Sequence, residues 1–483
     1  MYYLGFDAGT SSLKYMLVDE MGDIFYEGSV KYSYTQPKDG YKEIEPSVYT
    51  NAVEEAISSL PMSLKKNQIK SICITGQMHT SIFLDNQGKS IRPAILWNDT
   101  RAKEYINSLK YELEKNMDTK YISRIISTGC MATSLLWMKK NEEENYKKIR
   151  KVCTVKDYLI FWLTGIFATD YCDASTSSLY EIQNKKYSSY MLGKLELSEE
   201  CFCKVLPSGY NVGTLGKQAI KLGLGKDVSV IMGTGDNPAS AIASGIIEER
   251  DILLSLGTSG VVVVPKNDYD FEGKGKNVLY SINGKKFYNI VQGALQSAGG
   301  THLWWVKNIL ESKSIDVDQN KIDMNNLGGN KILFFPYLNG DKTVYFDSNV
   351  RGAFFGLSLN TKREDILQAI FEGVSFAYKQ LIESLLQFQE VKQIKINGGG
   401  TKSEKWMQIL SNILNKDLLV YDGLVSPCYG ACLIALNANQ QQPIVQKYEI
   451  KRKYSPCQRV AKSYNETYKK FKKIYPIIKQ LDN

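Results

Sequence analysis

One short pattern occurs twice in this chain, and any fold for the chain must accommodate both copies. The stretch "DAGTSSLKYMLVD" starts at Asp7, and "SLGTSGVVVVP" runs from Ser255 to Pro265. Each sets Gly-Thr-Ser between two strand-like apolar runs. Three shared residues carry little weight alone, but the order of elements around them also repeats. Residues 2–34 alternate around the turn "DEMGD" and read as a hairpin followed by a third strand. "EPSVYTNAVEEAISSLP" then places Ala52, Val53, Ala56, Ile57 and Leu60 at helical spacing, with Ser47 as N-cap and Pro61 at the exit. A strand ending in "TGQMH" follows. The second copy is followed by the long helix pattern "REDILQAIFEGVSFAYKQLIESL" and by "VKQIKINGGGTKSEKWMQILSNIL", a strand, a glycine turn and a helix. A chain of 483 residues is too long for one core. The expectation is two similar α/β domains, 1–245 and 246–483, joined near Ser244 to Glu249 with a cleft between them.

Composition narrows the function classes. The longest apolar run, "YLIFWLTGIFA", falls short of the ~18 residues that a membrane span needs, so no membrane partner is expected. The start, "MYYLGFDAG", has neither a basic n-region nor a small-residue cleavage site, so no signal peptide is expected. Nine cysteines lie without metal spacing, Cys201 and Cys203 forming an isolated Cys-x-Cys, which points to reduced thiols and a cytoplasmic setting. The net charge of +9 is concentrated at one end, where eleven Lys/Arg face three Asp/Glu from Lys447 onward. Tyr464, Tyr468, Phe471 and Tyr475 fall at helical spacing among those lysines, so this is an amphipathic helix with a solvated basic face. No nucleic-acid motif accompanies it, and no nucleic acid is expected as partner.

Several stretches fit phosphate chemistry. Phosphate is held by backbone amides pointing one way, which needs small residues. "DAGTSS" supplies Gly9 for the turn, Thr10, Ser11 and Ser12 as hydroxyl and amide donors, and Lys14 as a nearby point charge. Asp7 is the only acid beside them and suits hydrated Mg2+. "LGTSG", with Gly257 and Thr258, repeats the cradle. "NGGGTKSEKW" places Gly399 and Gly400 between a strand and a helix, as either a shelf for a purine or its phosphate or a tight packing turn. Neither G-x-G-x-x-G nor G-x-x-x-x-G-K-[ST] accounts for it. In "VIMGTGDNPASA", Asp236 stands at the mouth of a helix after a Gly-x-Gly turn. It can accept a proton from an attacking hydroxyl, or serve as the helix N-cap.

Taken in order, "DAGTSSLK", "GQMH", "RPAILWNDTR", "KDYLIFWLTG", "GDN", "SLGTSG", "RGAFFGL" and "NGGGTKSEKW" make the chain resemble the FGGY carbohydrate kinases from Tyr3 to about Ala435. The resemblance implies an actin-like fold of two ribonuclease-H-like domains that close over ATP and sugar. It implies Asp236 as proton acceptor, Met78, His79 and Asn237 against a ketose, and Asp7 assisting Mg2+. Thr10 and Thr258 lie on the two phosphate loops, while Gly299 and Gly400 match nucleotide-contacting glycines. The expected reaction is phosphorylation of a ketopentose, D-xylulose first, at O5. Another ketose or polyol, or a regulator that binds sugar without turnover, are the alternatives. Sugar and ATP are the expected partners, and the reading allows a homodimer. With only two histidines and no Ser-His-Asp arrangement, His79 fits hydrogen bonding to sugar hydroxyls, whereas His302 in "THLWW" fits packing. One departure stands out. Where the family often reads Leu-x-Gly-Glu-Arg-Thr-Pro-His, this chain has "LNGDKTVYFD", Leu338 to Asp347, and a lysine cannot reproduce a bidentate arginine contact.

Overall fold

The structure, a computed structural model, describes residues 1–61, 64, 68–116, 118–216, 220–246, 251–266, 275–282, 286–347, 349–386, 391, 393–421, 426–438 and 450–481. By contact the chain forms two compact units. The first comprises Met1–Gly245, Val278–Asn289 and Leu424–Gln446, and the second Ile246–Asn277, Ile290–Gly423 and Lys447–Asn483. The first unit thus takes in two later segments besides the first half of the chain.

In the first unit, strands β1 (Tyr2–Ala8), β2 (Ser12–Val18) and β3 (Ile24–Lys31) form the antiparallel series that the alternation predicts. Helix α1 (Pro46–Ser59) leads to β4 (Ile69–Gly76), which runs parallel to β1. Further along come α2 (Val155–Thr164), α3 (Tyr171–Thr176), β5 (Asn211–Thr214), β6 (Ser229–Ile231) and α4 (Asp236–Ala243). The described strands join in the order β5-β6-β4-β1-β2-β3. The even positions of β1, Leu4, Phe6 and Ala8, share a core cluster with Val53, Ala56 and Ile57 of α1, as period-2 and period-3.6 patterns require.

Helix α1 begins one residue before the expected cap. Pro46 occupies the first turn, and Glu45 caps with extended backbone and no side-chain bond. Ser47 is therefore inside the helix. Proline has no N–H to satisfy there and its φ is already helical, so it displaces the serine as the start signal.

The second unit repeats the plan. Strands β7 (Asp251–Leu256) and β8 (Gly260–Lys266) form the second hairpin, followed by β9 (Lys276–Ile282) and β10 (Lys286–Leu295). After α5 (Gly299–Trp304) and the long α6 (Arg363–Leu385) come β11 (Gln393–Asn397), α7 (Glu404–Leu414) and β12 (Leu418–Tyr421). Helix α8 (Pro427–Asn437) lies within the first unit, and the chain then supplies β13 (Ile450–Tyr454) to the second. The order β9-β10-β8-β7-β11-β12-β13 repeats the first sheet's sense, with a hairpin, two parallel strands and an antiparallel edge. This is the ribonuclease-H-like arrangement, present twice.

The basic tail is accounted for inside the second unit. Strand β13, "IKRKY", is a sheet edge, where lysines discourage pairing with other chains. The expected single helix is two, α9 (Gln458–Phe471) and α10 (Ile474–Leu481), broken at Lys472–Lys473. Tyr464 and Tyr468 are buried and donate to Glu372 and Glu383 at 2.8 and 2.7 Å. Lys379 and Lys472 stand 4.7 and 4.9 Å from the Tyr468 ring centre. Among the described residues no helix is long and apolar enough to cross a membrane.

Candidate active site

In the first unit the end of β1, the end of β4 and the start of α4 carry the candidate chemistry. Asp7 and Lys14 are cross-strand partners in the β1–β2 hairpin. Burial raises the Asp7 carboxyl to about 6, and Lys14 pulls it partly back. The turn between the strands holds Thr10 and Ser11. Trp97 Nε1 donates to Thr10 Oγ1 at 3.0 Å, the Thr10 hydroxyl donates to Gln77 Oε1 at 3.1 Å, and Gln77 Nε2 donates to Tyr49 Oη at 2.8 Å. Tyr32 Oη donates to Gly9 O at 2.7 Å and fixes the other side of the loop. Gln77 and Trp97, to which the sequence reading gave no role, thus hold the candidate phosphate loop. Trp97 keeps 47% of its surface exposed and sat unremarked in "RPAILWNDTR".

Strand β4 ends at Gly76, and His79 follows at φ 73, a region non-glycine residues seldom enter. Thr80 N donates to Met78 O at 3.0 Å, which closes a three-residue turn with His79 at its centre. Such a conformation is worth roughly 1–3 kcal/mol of strain and persists where the surroundings impose it. Here His79 Nδ1 meets Thr176 O at 3.0 Å. A carbonyl only accepts, so Nδ1 is the donor. The turn and this bond together fix how the imidazole is oriented.

Asp236 is the first residue of α4, and the N-cap is Gly235, so the capping alternative does not hold. The Asp236 carboxylate accepts from the Asn237 amide at 2.8 Å. Asn237 Nδ2 approaches Met78 Sδ at 3.9 Å, which brings the expected sugar contacts to one place. Burial, then the negative charge of Asp7, raise Asp236 to about 7, against the Asn237 amide that lowers it. Two carboxylates pushed toward neutrality, Asp7 by burial and Asp236 by burial and by Asp7, suit general-base work near pH 7. They would also be relieved by a divalent cation. Among the described residues no group of three or more His, Cys, Asp or Glu could hold a metal by itself.

In the second unit the candidate nucleotide glycines also come together. Gly257 O accepts from Gly299 N at 2.8 Å, and Thr258 O accepts from Gly300 N at 2.9 Å. A Cβ on Gly299 would lie 2.5 Å from Gly257 O, so only glycine permits this approach. Gly398, at φ 101, rests on the backbone of Leu256, and Gly400 on its side chain. A Cβ on Gly399 would meet nothing within 4 Å, which leaves that glycine as the open part of the shelf. His302 is buried, edge-on to Phe371 and Trp406 at 5.2 and 6.0 Å, and packs as expected.

The altered loop is tied down within its own unit. Asp341 Oδ2 accepts from the amides of Thr343, Tyr345 and Phe346 at 3.1, 2.6 and 3.3 Å. Tyr345 stacks on Tyr475 of α10 with ring centres 3.8 Å apart. The shortened acid is thus turned inward to order its own loop.

Residues 2–243 match the N-terminal domain of the FGGY family of carbohydrate kinases, and residues 252–438 match its C-terminal domain. The chain belongs to this family and is a carbohydrate kinase, which uses ATP. It is similar to a xylulose kinase of Staphylococcus xylosus, at 31% identity over 98% of this chain and 99% of that one. A xylulose kinase of Lactococcus lactis is 30% identical over 90% of this chain and 87% of its own. The fold matches the crystal structure of a "xyloylose kinase" from Brucella ovis with a TM-score of 0.91 and 27% identity, covering 100% of both chains.

Proposed function

We propose that this kinase transfers the γ-phosphoryl group of ATP to O5 of D-xylulose. The observation that carries the chemistry is the cluster of Met78, His79 and Asn237 beside Asp236, a carboxylate held near neutrality. The sugar's identity comes from the xylulose kinases that the chain resembles along their full length.

In this reading Asp236 accepts the proton of the attacking hydroxyl, and His79 Nε2 and Asn237 hold the sugar's other hydroxyls. The amides of Thr10 and Ser11 face the transferring phosphates, since the Thr10 hydroxyl is already engaged. Gly257, Thr258, Gly299, Gly399 and Gly400 serve the nucleotide. Asp7 would hold Mg2+ through water, and the ion when bound neutralises phosphate charge.

The test is coupled ADP release with Mg2+-ATP and a panel of ketoses, aldoses and polyols. Turnover strongest with D-xylulose supports the proposal, and activity confined to another sugar overturns the choice of substrate. His79→Ala is expected to lower kcat/KM for the sugar by about 10- to 100-fold, the weight of one well-placed hydrogen bond to a polar substrate. An unchanged sugar KM in folded His79→Ala would remove His79 from the site.

A further inference from the structure

A second charged cluster lies behind the sugar site. Lys156 is 1% exposed, yet its ammonium stands 2.6 Å from Asp157, 3.3 Å from Asp170 and 3.3 Å from Asp173. The three acids are between 0% and 3% exposed. A buried ion cluster is poor evidence of stabilisation, because well-packed apolar residues of the same volume often do as well or better. What such a cluster supplies is a fixed geometry. Asp157 belongs to the capping box of α2. Asp170 caps α3 by accepting from Cys172 N and Asp173 N at 3.1 and 3.2 Å. Lys156 joins these two helix starts, and its Nζ also lies 3.7 Å from Met232 Sδ, just past β6 on the way to Asp236.

Helix α3 is the element with a hand on both parts of the site. At its end, Thr176 O bonds His79 Nδ1. At its start, Cys172 Sγ backs Gly235, the cap residue of α4, so closely that a Cβ there would stand 2.8 Å from the sulfur. The Thr154 hydroxyl lies 2.8 Å from Asp157 Oδ2 and 2.9 Å from Asp173 Oδ2, and its single proton serves only one of them. The other contact needs a protonated acid. Asp173 fits, because burial foremost and the neighbouring acids raise it to about 8 against the pull of Lys156.

We propose that Lys156 is a positioning residue for the sugar site, clamping the starts of α2 and α3 so that α3 presents Thr176 O to His79 and Cys172 to Gly235. The inference rests on the sugar-site reading given above. Lys156→Met keeps the volume and removes the clamp. In the folded variant the sugar KM is expected to rise about ten-fold and kcat to fall about 100-fold, the scale of a misplaced reactant, while the KM for ATP stays at the parent value. In a double-mutant cycle with His79→Ala, the two losses of sugar affinity should fail to add, because both act through one ring. A merely structural lysine would lower the unfolding temperature and leave sugar KM, kcat and additivity untouched, and that result overturns the proposal. If Lys156→Met does not fold, Asp170→Asn, which keeps the shape and one capping oxygen, carries the same expectation. Parental kinetics in folded Asp170→Asn are equally fatal to it. If His79→Ala itself leaves sugar KM unchanged, the sugar-site reading falls and this inference with it. A crippled His79→Ala beside a parental Lys156→Met overturns the inference alone.

Discussion

Asp236→Asn is expected to lower kcat for sugar phosphorylation by about 1,000-fold, within the range for loss of a positioned general base. The amide preserves size and can still accept from Asn237 N, but it cannot take the substrate's proton. The same change is expected to raise the unfolding temperature. Asp236 is raised from 3.8 to about 7 in the folded protein, so the fold holds its proton more tightly than the unfolded chain does. The contribution of this one group to stability is therefore full below about 4, declines as pH rises toward 7, and is not recovered above. Asparagine never ionises and escapes that loss, a trade of stability for activity common where a carboxylate is kept in a hostile place. In the parent, kcat/KM should rise with pH through about 7, because the base must be ionised to act. Steady-state kinetics of the variant and a parent pH–rate profile check both statements. A variant with parental kcat would exclude Asp236 as the base.

Gly430→Ala should destabilise the fold by about 3 kcal/mol, at the upper end for overpacking. Gly430 sits in α8 against α4, and a Cβ would lie 2.0 Å from Ala239 O and 2.6 Å from Ala239 C. Both obstacles are backbone, so no rotamer relieves them, and α4 must move. Because α4 starts at Asp236, a displacement near 1 Å would also cost about 100-fold in kcat. Gly193→Ala is the matched control. It lies in the helix Ser189–Leu195 with nothing within 4 Å of its would-be Cβ, and alanine there should stabilise by about 0.5–1 kcal/mol. Thermal unfolding of the two variants decides the matter, and a neutral Gly430→Ala would mean that the helices can part without loss.

The parts of this molecule legible in the sequence are those governed by local pattern. The two hairpins, the long α6 and the strand–glycine–helix run at residues 393–414 follow from alternation, helical spacing and glycine placement. The place of Asp236, at a strand-to-helix turn, was readable because glycines precede it there. What escaped depends on residues distant in sequence. The bonds of Trp97 to Thr10 and of Thr176 to His79 span 87 and 97 positions, and neither leaves a periodic trace. Nothing in the sequence sets the buried Lys156 apart, since a sequence does not show that Asp170 and Asp173 fold back upon it. The tail's single helix failed at Lys472–Lys473, because a continuous aromatic stripe says which face is buried but not whether the axis bends.

Helix α8 lies almost directly on β1, where a Cβ on Gly5 would stand 2.5 Å from Cys428 O. Cys428 and Cys432 each approach a backbone oxygen of the opening hairpin at 3.3 Å. The β1–β2 hairpin thus waits for a helix made more than 400 residues later in the chain. During synthesis the ribosome must add all of those residues before the face of β1 that carries Gly5 has its cover. Until then that surface is exposed to whatever else in the cell binds unfinished sheets. For this protein, maturation of the part that bears Asp236 is timed by the arrival of α8, long after β1 and Asp236 itself have been made.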